Sequence, residues 1–119
     1  MELEELYNRV RSILENELGP VAGRSLANII FMSVEDEKEL EAFIKGVKIY
    51  LRSTFIYSDE EINEELQRED ATLDSLILFA KRIPIRQFVE ALCFATSTIW
   101  ASKKLKRMYF TESKDSYIW

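Results

Sequence analysis

The chain has 119 residues, with 21 Asp or Glu against 16 Lys or Arg (formal net charge −5), three Gly, two Pro, one Cys and no His. That length holds one domain, and so little Gly and Pro excludes a sandwich or barrel, which needs a turn about every 8–12 residues. The missing His excludes triads and His-ligated metal sites, and the lone Cys93 excludes an internal disulfide or a multi-thiolate cluster.

The first predicted helix runs from Glu2 to Leu18, with Leu3, Leu6, Tyr7, Val10, Ile13, Leu14 and Leu18 at the 3–4 spacing of one face. Its acidic, amphipathic start is unlike a signal or transit peptide, which points to a soluble cytoplasmic protein. Gly19-Pro20 supplies a C-cap residue and then a first-turn proline for a second helix to about Met32. That helix carries Ala22, Leu26, Ile29 and Ile30 on one side. Ser33 is the expected N-cap of a third helix bearing Leu40, Phe43, Ile44, Val47 and Leu51, with Gly46 in its interior. Its end, Lys48 to Tyr57, holds the β-branched and aromatic residues that most favour a strand instead. Ser58 to Glu61 reads as a capping box opening a short acidic helix to about Arg68, with Ile62 and Leu66 inward. A fifth helix is predicted from Ala71 or Thr72 to about Arg82, because Pro84 disfavours helical geometry at Ile83. A long last helix follows to about Met108, with Ile85, Phe88, Val89, Leu92, Ala95, Ile99 and Trp100 apolar.

These elements predict an all-α fold, a compact bundle of about five to six helices with short connections. The first, third and last helices are expected to form the core. Residues 1–110 make the helical domain and 111–119 a C-terminal tail with an aromatic end. The longest uncharged stretch, Ala91 to Ser102, would span about 18 Å as a helix against roughly 30 Å of bilayer hydrocarbon, so no membrane span is expected.

Charge is unevenly distributed. Residues 1–74 hold 18 acidic and 8 basic side chains, and residues 75–119 hold 3 and 8. The basic block is Lys103, Lys104, Lys106 and Arg107, beside Tyr109 and Phe110. Cations at a helix C-terminus complement its dipole, and they also suit an acidic partner or nucleic-acid phosphate. Residues 76–93 have the outline of a helix-turn-helix in which Arg86 and Gln87 would face bases, with Arg82 nearby. Against that outline, Pro84 occupies the turn and Glu90 a position suited to an apolar residue.

The acidic block, Ser58 to Asp70, sets seven carboxylates against Arg68 alone. Glu61 and Glu64 stand at i, i+3 and suit one Mg²⁺, as a small hydrolase would require. A second acidic pair is missing, since Glu90 is followed three residues on by Cys93. No Gly-rich phosphate loop exists, and Ser25 has no candidate base. No catalytic residue and no cofactor are therefore expected, and Cys93 reads as a core thiol.

Two stripes of small residues, Gly19-Gly23-Ala27 and Ala91-Ala95-Thr98-Ser102, suit close helix packing, within the monomer or across a homodimer seam. Tyr109, Phe110, Tyr117, Ile118 and Trp119 are the expected partner-binding residues, since aromatic side chains commonly anchor interfaces. The favoured reading is a non-catalytic module that self-associates or joins another protein. The alternatives are a nucleic-acid-associated regulator using Arg82, Arg86, Lys103, Lys104, Lys106 and Arg107, and a small Mg²⁺-dependent hydrolase.

Overall fold

A computed structural model describes the backbone of residues 2–54, 57–68, 77 and 80–115, and the side chains of these except Glu2 and 109–115. It is an all-α bundle. The helices are α1 (Glu2–Leu18), α2 (Pro20–Phe31), α3 (Glu37–Thr54), α4 (Glu60–Gln67) and α5 (Ile85–Asp115). Ile77 and residues 80–82 are also helical, and no strand occurs among the described residues. The rest of the expected fifth helix, 71–76 and 78–79, lies outside them. The Lys48 to Tyr57 segment is helical through Thr54. The last helix continues past Met108 to Asp115, consistent with the absence of Gly and Pro after Pro84.

One residue, Gly19, separates α1 from α2. Its φ of +94° with ψ of 159° is a conformation that side chains resist. Its N–H donates to Glu15 O at 2.9 Å and its carbonyl accepts from Gly23 N at 2.9 Å, so it ends one helix and starts the next. Pro20 then fills the position where a missing N–H costs nothing.

Two expected caps shift along the chain. Asp36, rather than Ser33, caps α3, accepting from Glu39 N at 2.8 Å, while Glu39 Oε1 accepts from Glu35 N at 2.8 Å. Asp59, rather than Ser58, caps α4, accepting from Glu61 N at 2.9 Å and Ile62 N at 3.3 Å. In both places a carboxylate takes the role, which adds charge–dipole attraction to the hydrogen bond. The far end of α4 is held by cations from α3: Lys48 Nζ donates to Arg68 O and Arg52 Nη1 to Leu66 O at 3.3 Å.

The helices pair as two antiparallel hairpins, α1 with α2 and α3 with α5. The expected core of first, third and last helices holds: Leu6, Val10 and Leu14 of α1 are buried with Phe43, Val47 and Leu51 of α3 and Phe88 and Leu92 of α5, although α1 lies along α2 and touches α3 only lightly. Glycine explains the pairing. A Cβ on Gly23 would stand 2.4 Å from Glu15 N, so only Gly lets the α1 backbone pass there. A Cβ on Gly46 would stand 3.1 Å from Ala95 Cβ, which fixes the second crossing.

Tyr7, Phe31 and Phe43 stack in series, with centroids 5.7 and 5.1 Å apart, and link the hairpins. Thr96 Oγ1 also reaches across, donating to Ile30 O at 2.5 Å. Leu6, Val10, Leu14, Leu51, Phe88 and Leu92 are among the side chains fully buried in this single core. The molecule measures 52 × 33 × 26 Å. Its long axis is close to the roughly 46 Å length of a 31-residue helix such as α5.

Candidate interaction surface

The structure places three of the six expected basic contacts, Arg82, Arg86 and Lys103, in ion pairs. Lys103 Nζ donates to Ser33 O at 2.7 Å and stands 2.8 Å from Glu39 Oε2 and 3.6 Å from Glu35 Oε1. It therefore ties α5 to the α2–α3 connection. The hydrogen-bonded Lys103 ammonium holds the Glu39 carboxyl below the usual carboxylate range, against a smaller opposing desolvation. The Glu39 bond in turn raises Lys103 above an ordinary lysine.

Arg82 bridges Asp59 and Glu61, the latter at 2.9 Å, and so pins the start of α4 to the Pro84 corner. Arg86 pairs with Glu90 one turn along at 3.2 Å, and Gln87 Oε1 accepts from Tyr57 OH at 2.8 Å. Of the residues that would read bases in a helix-turn-helix, Gln87 is engaged with Tyr57, whereas Arg86 remains exposed beside Glu90. Lys104 lies 5.1 Å over the Trp100 ring as a cation–π pair. Lys106 and Arg107 are exposed.

Of the acidic pair, Glu61 serves Arg82 and Glu64 is exposed. Among the described residues no three His, Cys, Asp or Glu side chains gather as a metal would require. Cys93 is half-buried, and burial pushes its thiol up from the ordinary value, away from the thiolate that nucleophilic chemistry needs. No helix is long and apolar enough to cross a membrane among the described residues.

The small-residue stripes pack inside the monomer in part, with Thr98 and Ser102 of the second one exposed. Gly23 and Ala27 are buried, with Gly23 against α1, and Ala91 and Ala95 are buried on α5, with Ala95 against α3. Gly19 is the connection itself and not a member of the packed face. Tyr109 and Phe110 belong to the last turns of α5, and their side chains are outside the described set. Tyr117, Ile118 and Trp119 lie beyond the described residues.

A different apolar surface stands out. Val21 and Ile29 on α2 and Met32 at its C-cap are 80, 60 and 73% exposed, and Trp100 on α5 is 56% exposed. The expected apolar side of α2, with Ala22, Leu26, Ile29 and Ile30, is split: Ile30 is buried and Leu26 half-buried, whereas Ala22 and Ile29 are exposed. At 100° per residue Val21, Ser25, Ile29 and Met32 share one side of α2, opposite the buried Gly23, Ala27 and Ile30.

The close approach at Gly23 sets the rotation of α2: Gly23 and Ala27 lie on the packed side with Ile30 and Phe31, which leaves Val21 and Ile29 on the outward side. Trp100 stands one turn from both Thr96 and Lys103, whose side chains hold the carbonyls of Ile30 and Ser33. It therefore borders the Ile29–Ser33 end of α2 and extends the apolar face. A signal for this surface is present in the sequence. Residues 20–34 carry one charge, Arg24, so α2 is apolar on both sides.

No known protein family, curated protein or solved structure matches the chain.

Proposed function

We propose that the protein is a non-catalytic interaction or assembly module of the cytoplasm, acting through the face built by Val21, Ile29, Met32 and Trp100. The observation that carries this reading is the joint exposure of those four large apolar side chains. Their fractional exposures correspond to about 500 Å² of apolar surface, the size of patch that is often functional on a monomeric protein. Covering it is worth roughly 12 kcal/mol at about 25 cal/mol per Å². Association costs an estimated 4–15 kcal/mol, so this face alone gives reversible rather than permanent binding.

Photo-crosslinking tests the proposal. A photoreactive residue at position 29 should crosslink to protein, either a second copy or another chain, in the native cell extract. The same residue at the exposed position 45 of α3 should not. Equal yields at the two positions, or none at 29, would refute the reading.

A further inference from the structure

We infer that the occupant of this face is a second copy of the chain, with the two α2 helices antiparallel about a twofold axis. This rests on the interaction reading above and goes further by naming the partner. The exposed stripe has the order Val21, Ser25, Ile29, Met32, at spacings of four, four and three residues. Reversed against itself about its midpoint, it sets Val21 opposite Met32 and the small Ser25 opposite the large Ile29. Large side chains then meet smaller ones along the whole stripe, which is the condition for a self-complementary twofold interface.

Charge points the same way. The four stripe residues are all uncharged, so two copies meet without like-charge repulsion. Arg24, the one cation of α2, lies toward α1, 3.5 Å from Glu15. Size is also sufficient. Two faces of about 500 Å² each reach the roughly 1,000 Å² total that a specific interface needs. Trp100, which borders the Ile29 end of each helix, falls at both ends of the pair and covers its margins.

Sedimentation equilibrium of the purified full chain with three stripe variants tests this. The weight-average mass of the native chain should rise with concentration toward twice the monomer value of 14.0 kDa. A V21E/M32E variant sets Glu against Glu in the proposed register, and V21K/M32K sets Lys against Lys. Each alone should raise the dimer dissociation constant at least 100-fold. Mixed one to one they should form a heterodimer, because every Glu then faces a Lys.

All substituted positions are exposed, so helical circular dichroism and melting should stay near native. A variant that unfolds is replaced by S25E, which places two like charges beside the axis. A native chain that stays monomeric at high concentration overturns the inference while leaving the photo-crosslinking result at position 29 to decide the interaction reading. A dimer that persists in both charged variants overturns the surface, and a mixture that stays monomeric overturns the register.

Discussion

Gly23→Ala is the smallest change that probes the architecture. The added methyl would stand 2.4 Å from Glu15 N and 2.5 Å from Glu15 Cα and Leu14 C, all backbone atoms. No rotamer change relieves such a contact, so α1 and α2 must part along the whole hairpin. Overpacking commonly costs about 1–3 kcal/mol, and a clash with rigid backbone belongs at the upper end. Ala gains roughly 1 kcal/mol over Gly in a helix interior. The net expectation is a loss of about 2 kcal/mol, or some 8 °C at about 4 °C per kcal/mol for a chain of this size.

Gly46→Ala is the internal control. Its methyl would meet Ala95 Cβ at 3.1 Å and Ala95 Cα at 3.3 Å, a contact eased by a shift of a few tenths of an ångström. The helix-propensity gain then roughly cancels the crowding, leaving it within about 1 kcal/mol of the native chain. Thermal and urea unfolding followed at 222 nm measures both. If Gly23→Ala melts at or above the native temperature while Gly46→Ala loses more, the close α1–α2 crossing is wrong.

Lys103→Met should remove the Glu39 and Ser33 contacts and change the pH profile of stability. Glu39 is depressed when folded, so its contribution is present above the unfolded carboxylate range and lost as pH falls through the folded value. Lys103 is raised, so its contribution is present below the unfolded lysine value and lost as pH rises through the folded one. The difference in urea midpoint between native and variant should therefore be largest near neutrality and shrink toward both extremes; a flat difference would count against the pair. Both groups are solvent-screened, so the effect is small.

Asp59→Ala should destabilise by about 1–2 kcal/mol through the lost α4 cap, and more than Ser58→Ala, when urea midpoints are compared. Cys93 should react more slowly with an aromatic disulfide reagent at neutral pH than the same thiol in the urea-unfolded chain. Equal rates would show that burial does not protect it.

Helix existence was readable from apolar spacing because each helix of this fold has a buried stripe. The boundaries at Gly19-Pro20 and Pro84 were readable because those residues dictate backbone geometry. The caps were displaced by one to three residues, since Ser33, Asp36, Ser58 and Asp59 all offer a side-chain oxygen and sequence alone does not rank them. Helix pairing was not readable. It depends on Gly23 and Gly46, whose function as points of close approach exists only once a neighbour is in place.

The outward face of α2 was missed for the same reason. An apolar helix with two sticky sides does not announce which one the monomer uses. The basic residues at 82, 86 and 103 were found by composition. Their acidic partners Asp59 and Glu61, Glu39 and Glu35 lie 21 to 68 residues away, and only the Arg86–Glu90 pair is local.

The two hairpins close at very different distances along the chain. Glu15 and Gly23 are eight residues apart, whereas Gly46 and Ala95 are 49 apart. On loop-closure entropy alone the second crossing costs about 1.6 kcal/mol more than the first. During synthesis α1 and α2 can fold together as soon as they emerge, but α3 must wait for thirty further residues before its partner begins. Throughout that interval Ile30 and Leu26, which later meet the rest of the core, are as bare as Val21 and Met32. The nascent hairpin thus carries apolar surface on two sides, and its growing chain is most exposed to premature pairing before α5 is made.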